Sequence, residues 1–391
     1  MAGRGFLARV YAFRFLDGFV LIYPLYTVMF AARGLSPSQV AATLMAWSVT
    51  GFLLQIPTGV LADRFSRRWL LCLGQVLRAI GFAIWILMPD FTGFLIGMVL
   101  WGMKSALTNG VFEALVYDEL HAMDEAHAYP RVIGRAWGAL SAAVLLTSLL
   151  TAVLVRFGYA SILQASIAVS VISAASALAL PRARKALKVA RPRYFAHLAH
   201  GVSVVLRDPL LIGLVAFGAL SQAFGGGLEG LWQILGREAG MTTAIIPIFG
   251  AAVGASQIAG SAFAHRFARR GGRERFYALF TVAGVLVAMA AAILQPWSTL
   301  LVIPAAGFFK AIDVNFDARL QHAIPAENRA TIGSVKSFAG AALMTAVLGG
   351  FGWLAQAQSY RMAFLGAGVA MAVIAGGYLL AATLRKPRQA Q

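Results

Sequence analysis

The chain has 391 residues, 60% of them hydrophobic and 12% charged, with a mean hydropathy of +0.75 and a formal net charge of +18. Soluble domains carry about 45–50% apolar and about 25% charged residues, so this chain lacks the polar residues to cover a water-facing surface, and its excess apolar surface faces lipid. An integral membrane protein is implied, a soluble nucleic-acid-binding protein is excluded, and the single cysteine, Cys72, forms no internal disulfide.

Apolar runs of about 20 residues or more mark candidate spans. In chain order twelve are predicted, at 10–33, 39–62, 69–88, 93–120, 131–155, 159–180, 209–235, 242–264, 275–295, 299–323, 330–355 and 360–383. No n-region, h-region and cleavage pattern heads the chain, and its first apolar run is long enough to read as a span. With both ends cytoplasmic, the inner segments carry 22 Lys or Arg and the outer ones four, Arg33, Arg156, Arg237 and Arg361. By the positive-inside rule this sets a multi-pass topology with both termini cytoplasmic, in the cytoplasmic (inner) membrane. The basicity is a topological signal, and no nucleic-acid partner is expected.

The first half of the chain recurs in the second. "ADRFSRR" at 62–68 returns as "AHRFARR" at 264–270, "FEAL" at 112–115 as "FDARL" at 316–320, and "YPRVIGRAWG" at 129–138 has a looser counterpart in "ENRATIGSVKS" at 327–337. The order is the same and each pair stands six spans apart, which describes a six-helix unit used twice with parallel orientation. Between the halves, 181–208 starts basic and proline-bearing. From 194 on, Phe195, Leu198, Ala199, Val202, Val205 and Leu206 follow helical spacing, as in an amphipathic helix lying on the inner membrane surface. The organisation expected is an N-terminal six-helix bundle (1–180), a cytoplasmic linker with an amphipathic helix (181–208) and a C-terminal six-helix bundle (209–391).

Twelve spans in two parallel halves, with Gly59, Leu61, Ala62, Asp63, Arg64, Arg67 and Arg68 after the second, resemble the major facilitator superfamily of secondary transporters over essentially the whole chain. The family usually has glycine where Ser66 stands, and His265 replaces the acid in the second copy. The resemblance implies an all-α membrane protein of two pseudo-symmetric bundles that rock about a midplane site. It implies that Gly59 lets the second span pack on the eleventh, that Asp63 sits by the N-terminus of that helix near Arg329, and that Arg67 or Arg68 reaches Asp118. These residues would form a gating latch, closed in one state and open in the other. The alternative is that the arginines only mark the inner side.

A charge at mid-span costs at least ~2.5–3.5 kcal/mol on insertion scales, so it faces water or a partner. Twelve such residues fall in the spans: Arg14, Asp17, Arg78, Lys104, Glu113, Asp118, Arg135, Glu229, Lys310, Asp313, Asp317 and Lys336. Spans four and ten hold six of them, and in the family these helices help line the central cavity. Lys104 and Lys310 lie near the midplane; either they face an anionic group of the substrate, or each pairs with a carboxylate, Asp313 being ready beside Lys310. Arg14 and Asp17 pose the same choice. Asp17 and Glu113 lead as proton carriers, with Glu229 third, because a carboxylate in a low-dielectric cavity can titrate near neutral pH. Glu113 and Asp317 occupy equivalent repeat positions and are expected to pair with Arg135 and Lys336 as inner-gate bridges.

"GGGLEG" at 225–230 fits a dinucleotide-loop pattern but lies inside an apolar span, and reads instead as a soft or broken stretch of helix seven. "GRAWG" at 134–138 reads as a small-residue packing contact. The six histidines show no metal-ligand spacing, no nucleophile–base grouping or phosphate loop is present, and no metal, cofactor or enzymatic activity is expected. The glycine–proline motif of the family's drug/proton antiporters is absent from the fifth span. The function expected is secondary transport of a small-molecule substrate, with protons as coupling ion and export as the direction; uptake or exchange of a small organic anion is the alternative. The protein is expected to work as a monomer surrounded by membrane lipid.

Overall fold

The computed structural model describes residues 3–181, 194–268, 272, 274–324 and 329–384. Among the described residues the chain is helical and holds no strand. Among the described residues nine stretches are long and apolar enough to cross a membrane. One of them, Ala126–Leu178, contains two long helices joined by a 3-10 turn at Val155–Phe157 and by Gly158 at φ +83°. The chain divides into two compact units, Met1–Arg191 with Thr243–Ala251 and Pro192–Thr242 with Ala252–Gln391.

In the first unit the helices are α1 (Arg4–Gly18), α2 (Tyr26–Ala32), α3 (Pro37–Arg64), α4 (Arg67–Leu87), α5 (Phe91–Thr108), α6 (Val111–Ala122), α7 (Tyr129–Leu154) and α8 (Gly158–Leu178). Local chemistry starts several of them. Ser36 and Gln39 close a capping box on α3, with Pro37 in its first turn, and the Asp90 carboxylate accepts from Gly93 N–H at 2.9 Å to start α5.

Two predicted spans of the first unit are broken. The first is interrupted at 19–25, where the backbone leaves the helix and bonds to side chains of other helices: Thr151 Oγ1 donates to Leu21 O at 2.7 Å, and Ile22 N–H donates to Ser166 Oγ at 3.1 Å. Irregular backbone survives at membrane depth only when protein satisfies its polar groups in this way. The fourth span breaks at Gly110, whose φ of +78° suits glycine and few other residues. Its counterpart region in α14 below has Val314 and Asn315 in unbroken helix.

The second unit holds α9 (Tyr194–Arg207), α10 (Pro209–Glu229), α11 (Trp232–Glu238), α12 (Ile245–Ala268) from Ala252 on, α13 (Glu274–Ile293), α14 (Val302–Ala323), α15 (Arg329–Ala357) and α16 (Tyr360–Leu384). The expected irregularity in span seven is present, but the glycine run itself is helical; the break falls after it, at Gly230–Leu231. Helix α9 forms where amphipathic spacing was read and packs against α15 and α10; the basic stretch 182–193 lies outside the described residues.

Both units repeat one close approach between their second and fourth spans. A Cβ on Gly102 would come within 2.7 Å of Trp47 O on α3, and one on Gly260 of α12 within 2.1 Å of Gly307 O on α14. Only glycine lets the backbones meet so closely, which is the packing logic of helices in lipid. The interiors are aromatic. Phe30, Phe82, Trp85, Phe94 and Trp101 interlock in the first unit, and Phe217, Tyr277, Phe280 and Phe316 in the second. Gly134 and Gly138, read as a packing contact, instead have nothing within 4 Å of an added Cβ.

Candidate functional site

In the first unit three spans converge on one carboxylate. Asp17 lies near the end of α1, where the helix breaks, and both of its oxygens accept. Arg14 Nη1, one turn back, donates to Oδ2 at 2.8 Å; Gln75 Nε2 of α4 donates to Oδ1 at 2.8 Å. Lys104 Nζ of α5 lies 2.5 Å from Oδ1, and Arg78 Nη1 of α4 lies 3.5 Å from it. Arg78 also donates to Asp17 O at 2.8 Å and, through Nε, to Ser170 Oγ of α8 at 3.2 Å. Asp17, Arg14, Arg78 and Gln75 are each at most 4% exposed and Lys104 8%.

Three cations around one acid leave excess positive charge in a desolvated interior. Glu113 offsets part of it, its Oε1 lying 3.9 Å from Arg14 Nη2. The Arg14 guanidinium also sits over the rings of Trp137 and Phe112, at 4.3 and 4.9 Å. Arg78 Nη2, Arg14 Nε and Gln75 Oε1 remain buried without a hydrogen-bond partner among the described residues. Because the last carbonyls of a helix carry the negative end of its dipole, the cations also stabilise the broken end of α1.

Lys104 therefore pairs with a carboxylate inside its own unit, as one of the two sequence readings had it. Arg14 and Asp17 pair with each other. Glu113 does not meet Arg135: its Oε2 accepts from Gly110 N–H at 2.9 Å, holding the break in the fourth span, while Arg135 is exposed and makes no ion pair among the described residues. Arg67 Nη1 donates to Ala114 O at 2.8 Å and forms an ion pair with Asp118, tying the start of α4 to α6. Arg68 turns to Leu178 O, 3.4 Å away. The surroundings of Gly59 and the side chains of Asp63 and Arg329 lie outside what is described.

The second unit is polar in a different way. Asp313, half-buried on α14, accepts from Ser221 Oγ of α10 at 2.9 Å and makes no ion pair among the described residues. Lys310, one turn earlier, is exposed and does not form the bridge to it that one of the two sequence readings allowed. Lys336 of α15 forms an ion pair with Asp317, with its stem over Gly218, where a Cβ would come within 3.0 Å of Lys336 Cε. Glu229 is exposed at the C-terminal end of α10.

Sequence reasoning missed the roles of Gln75, Arg78, Ser170 and Ser221. Gln75 and Arg78 stand three apart in an otherwise apolar span, a signal that they share an inward face. Ser166 and Ser170, four apart in a span without charges, carry the same signal. No group of three or more His, Cys, Asp or Glu side chains that could hold a metal ion occurs among the described residues.

Two helical units with polar groups held at depth define a membrane carrier architecture. Residues 7–349 match the model of the Major Facilitator Superfamily, and the chain belongs to that family. Among solved structures it is similar to the nucleoside transporter NupG, at 15% identity and a TM-score of 0.77, over 97% of this chain and 100% of that one. An auto-inhibited POT family peptide transporter matches at 14% identity and 0.76, over 98% of each chain. A D-xylose–proton symporter matches at 16% and 0.66, over 95% of this chain and 96% of that one. At these identities the likeness is one of fold. No curated protein matches the sequence. The protein is a multi-pass membrane transporter, not an enzyme.

Proposed function

We propose that this protein exports a small organic solute by alternating access, driven by inward proton flow, with Asp313 as the coupling carboxylate. The observation that carries this reading is the Asp313–Ser221 hydrogen bond. A carboxylate whose partner is a neutral hydroxyl can gain or lose a proton without uncovering a buried cation. Asp17 has no such freedom, since both its oxygens are occupied by cations and an amide; the proton-carrying role first read for it passes to Asp313. Helix α14 corresponds to span ten, which the family resemblance assigns to the cavity. A small organic solute is supported by the similar folds, which are a nucleoside transporter, a peptide transporter and a D-xylose–proton symporter. Export rests on family analogy.

One observation favours a second reading, uptake or exchange of a small organic anion. Lys310 is exposed without an ion pair among the described residues, so its charge is available to a carboxylate or phosphate of the solute. The Arg67–Asp118 pair supports a latch at the α3–α4 turn in either reading.

The test is a metabolite survey of inverted vesicles with and without an imposed proton gradient. Accumulation that collapses with the gradient supports proton-driven export. Accumulation indifferent to the gradient but competed by small anions supports the second reading, and no accumulation in either condition overturns export.

A further inference from the structure

Residues of α10, α14 and α15 form one polar cluster in the second unit. Ser221 of α10 donates to Asp313 Oδ1 of α14 at 2.9 Å. One turn further along α14, Asp317 holds the ammonium of Lys336 from α15. The lysine stem lies against Gly218, three residues before Ser221 on α10. A Cβ on Gly218 would come 3.0 Å from Lys336 Cε and 3.7 Å from its Nζ. The ammonium therefore sits about one turn of α10 from the hydroxyl that binds Asp313, since three residues rise ~4.5 Å along a helix. Residues four apart on α14 are neighbours on its surface, with about 5–6 Å between their Cβ atoms.

The members of the cluster differ in burial. Lys336 is 9% exposed and Ser221 is buried, whereas the Asp317 side chain is 59% exposed and Asp313 is half-buried. The charged groups near enough to act on Asp313 are Lys310 and Asp317 on its own helix and Lys336 on α15, while α10 faces it with Ser221. A protonated Asp313 is neutral and needs only the hydroxyl. An ionised one is costly to hold away from water unless a cation pairs with it. Lys336 meets that need: its own buried charge requires a carboxylate, and its four-carbon stem is flexible enough to move by a turn. Asp317 can release the lysine at little cost, because exposed ion pairs contribute little. Lys310 is exposed, so burial does not bind it to a carboxylate.

We propose that Lys336 is a positioning residue for proton coupling that changes partner with the protonation state of Asp313: it pairs with Asp317 while Asp313 carries its proton, and moves one turn along α14 to Asp313 when that proton leaves to water. Lys336 stays an ammonium throughout, and the only covalent bond that breaks or forms is the Asp313 O–H. The exchange passes a proton event on α14 to α15, because one lysine ties the two helices at a different level in each state. The inference rests on the reading of Asp313 as the coupling carboxylate and adds the group that answers its charge.

Infrared spectra and thermal unfolding of the purified full chain test it, between about pH 5 and about pH 9, either side of neutrality. A protonated-carboxyl band that is lost as the pH rises, and is missing from Asp313→Asn, is expected to report Asp313. Lys336→Gln is expected to delay the loss of that band by about one pH unit, a tenfold change in proton affinity. Lys336→Arg is expected to restore it, and Lys310→Gln to leave it in place. In double-mutant cycles on the thermal midpoint, Lys336→Gln with Asp313→Asn is expected to be non-additive, on the order of 2 °C, at the higher pH and additive at the lower. Lys336→Gln with Asp317→Asn is expected to show the reverse. A band unmoved in Lys336→Gln, a band moved by Lys310→Gln instead, or a Lys336–Asp317 coupling unchanged at the higher pH would overturn the exchange while leaving Asp313 as the carrier. No titrating band that depends on Asp313 would overturn the coupling reading and the exchange together. Where a double variant does not fold, the band in the single variants decides.

Discussion

Lys104 Nζ and Asp17 Oδ1 lie 2.5 Å apart inside the first unit, joining α5 to the broken end of α1. The pair is sealed from solvent and shared with Arg14, Gln75 and Arg78. A lysine near mid-membrane and an acid with the sequence marks of a proton carrier thus spend their charges on each other.

Removing the acid leaves three buried cations around a neutral amide. Breaking a buried pair from one side costs about 3–5 kcal/mol, so Asp17→Asn should lower the thermal midpoint of the purified protein substantially. Adding Lys104→Met to it should restore part of the loss, giving a coupling energy on the order of 1–3 kcal/mol in a double-mutant cycle. Strictly additive losses would mean that the contact contributes nothing.

Gly110 stands at φ +78° in the break of the fourth span. Gly110→Ala should cost about 1–2 kcal/mol, the penalty for an L side chain in the left-handed region. Gly134→Ala, where an added Cβ meets open space, should be neutral or slightly stabilising through better helix propensity. Thermal unfolding of the two variants side by side distinguishes them; equal behaviour would remove the conformational argument.

At the α12–α14 crossing the backbones nearly touch. Gly260→Ala places a methyl 2.1 Å from Gly307 O, so the helices must separate, at a cost of about 1–3 kcal/mol. Expression level and monodispersity in size-exclusion chromatography should both fall, whereas Gly250→Ala, which meets nothing within 4 Å, should leave both unchanged.

Asp313→Asn keeps the shape of the side chain and its contact with Ser221 but cannot carry a proton. Proton-driven accumulation should be lost, while solute exchange without a gradient persists. Lys310→Ala should leave that accumulation intact if export is the function, and abolish transport of anions alone if the second reading holds. Full gradient-driven transport in Asp313→Asn would exclude this carboxylate from coupling.

The membrane class, the family and the series of predicted spans were legible in the chain itself. Span length is set by bilayer thickness and charge bias by topology, and both are local, one-dimensional properties. The repeated "ADRFSRR" and "AHRFARR" turns were legible for the same reason. What only the tertiary structure decided is which polar groups meet. In a span whose lipid face and protein face are both apolar, hydropathy does not say which side turns inward, so nothing local brings Gln75 and Arg78 to Asp17 or gives Asp313 to Ser221 rather than to Lys310. The break at 19–25 was hidden likewise, because it is stabilised by Thr151, Ser166 and Arg78, side chains contributed by three other helices.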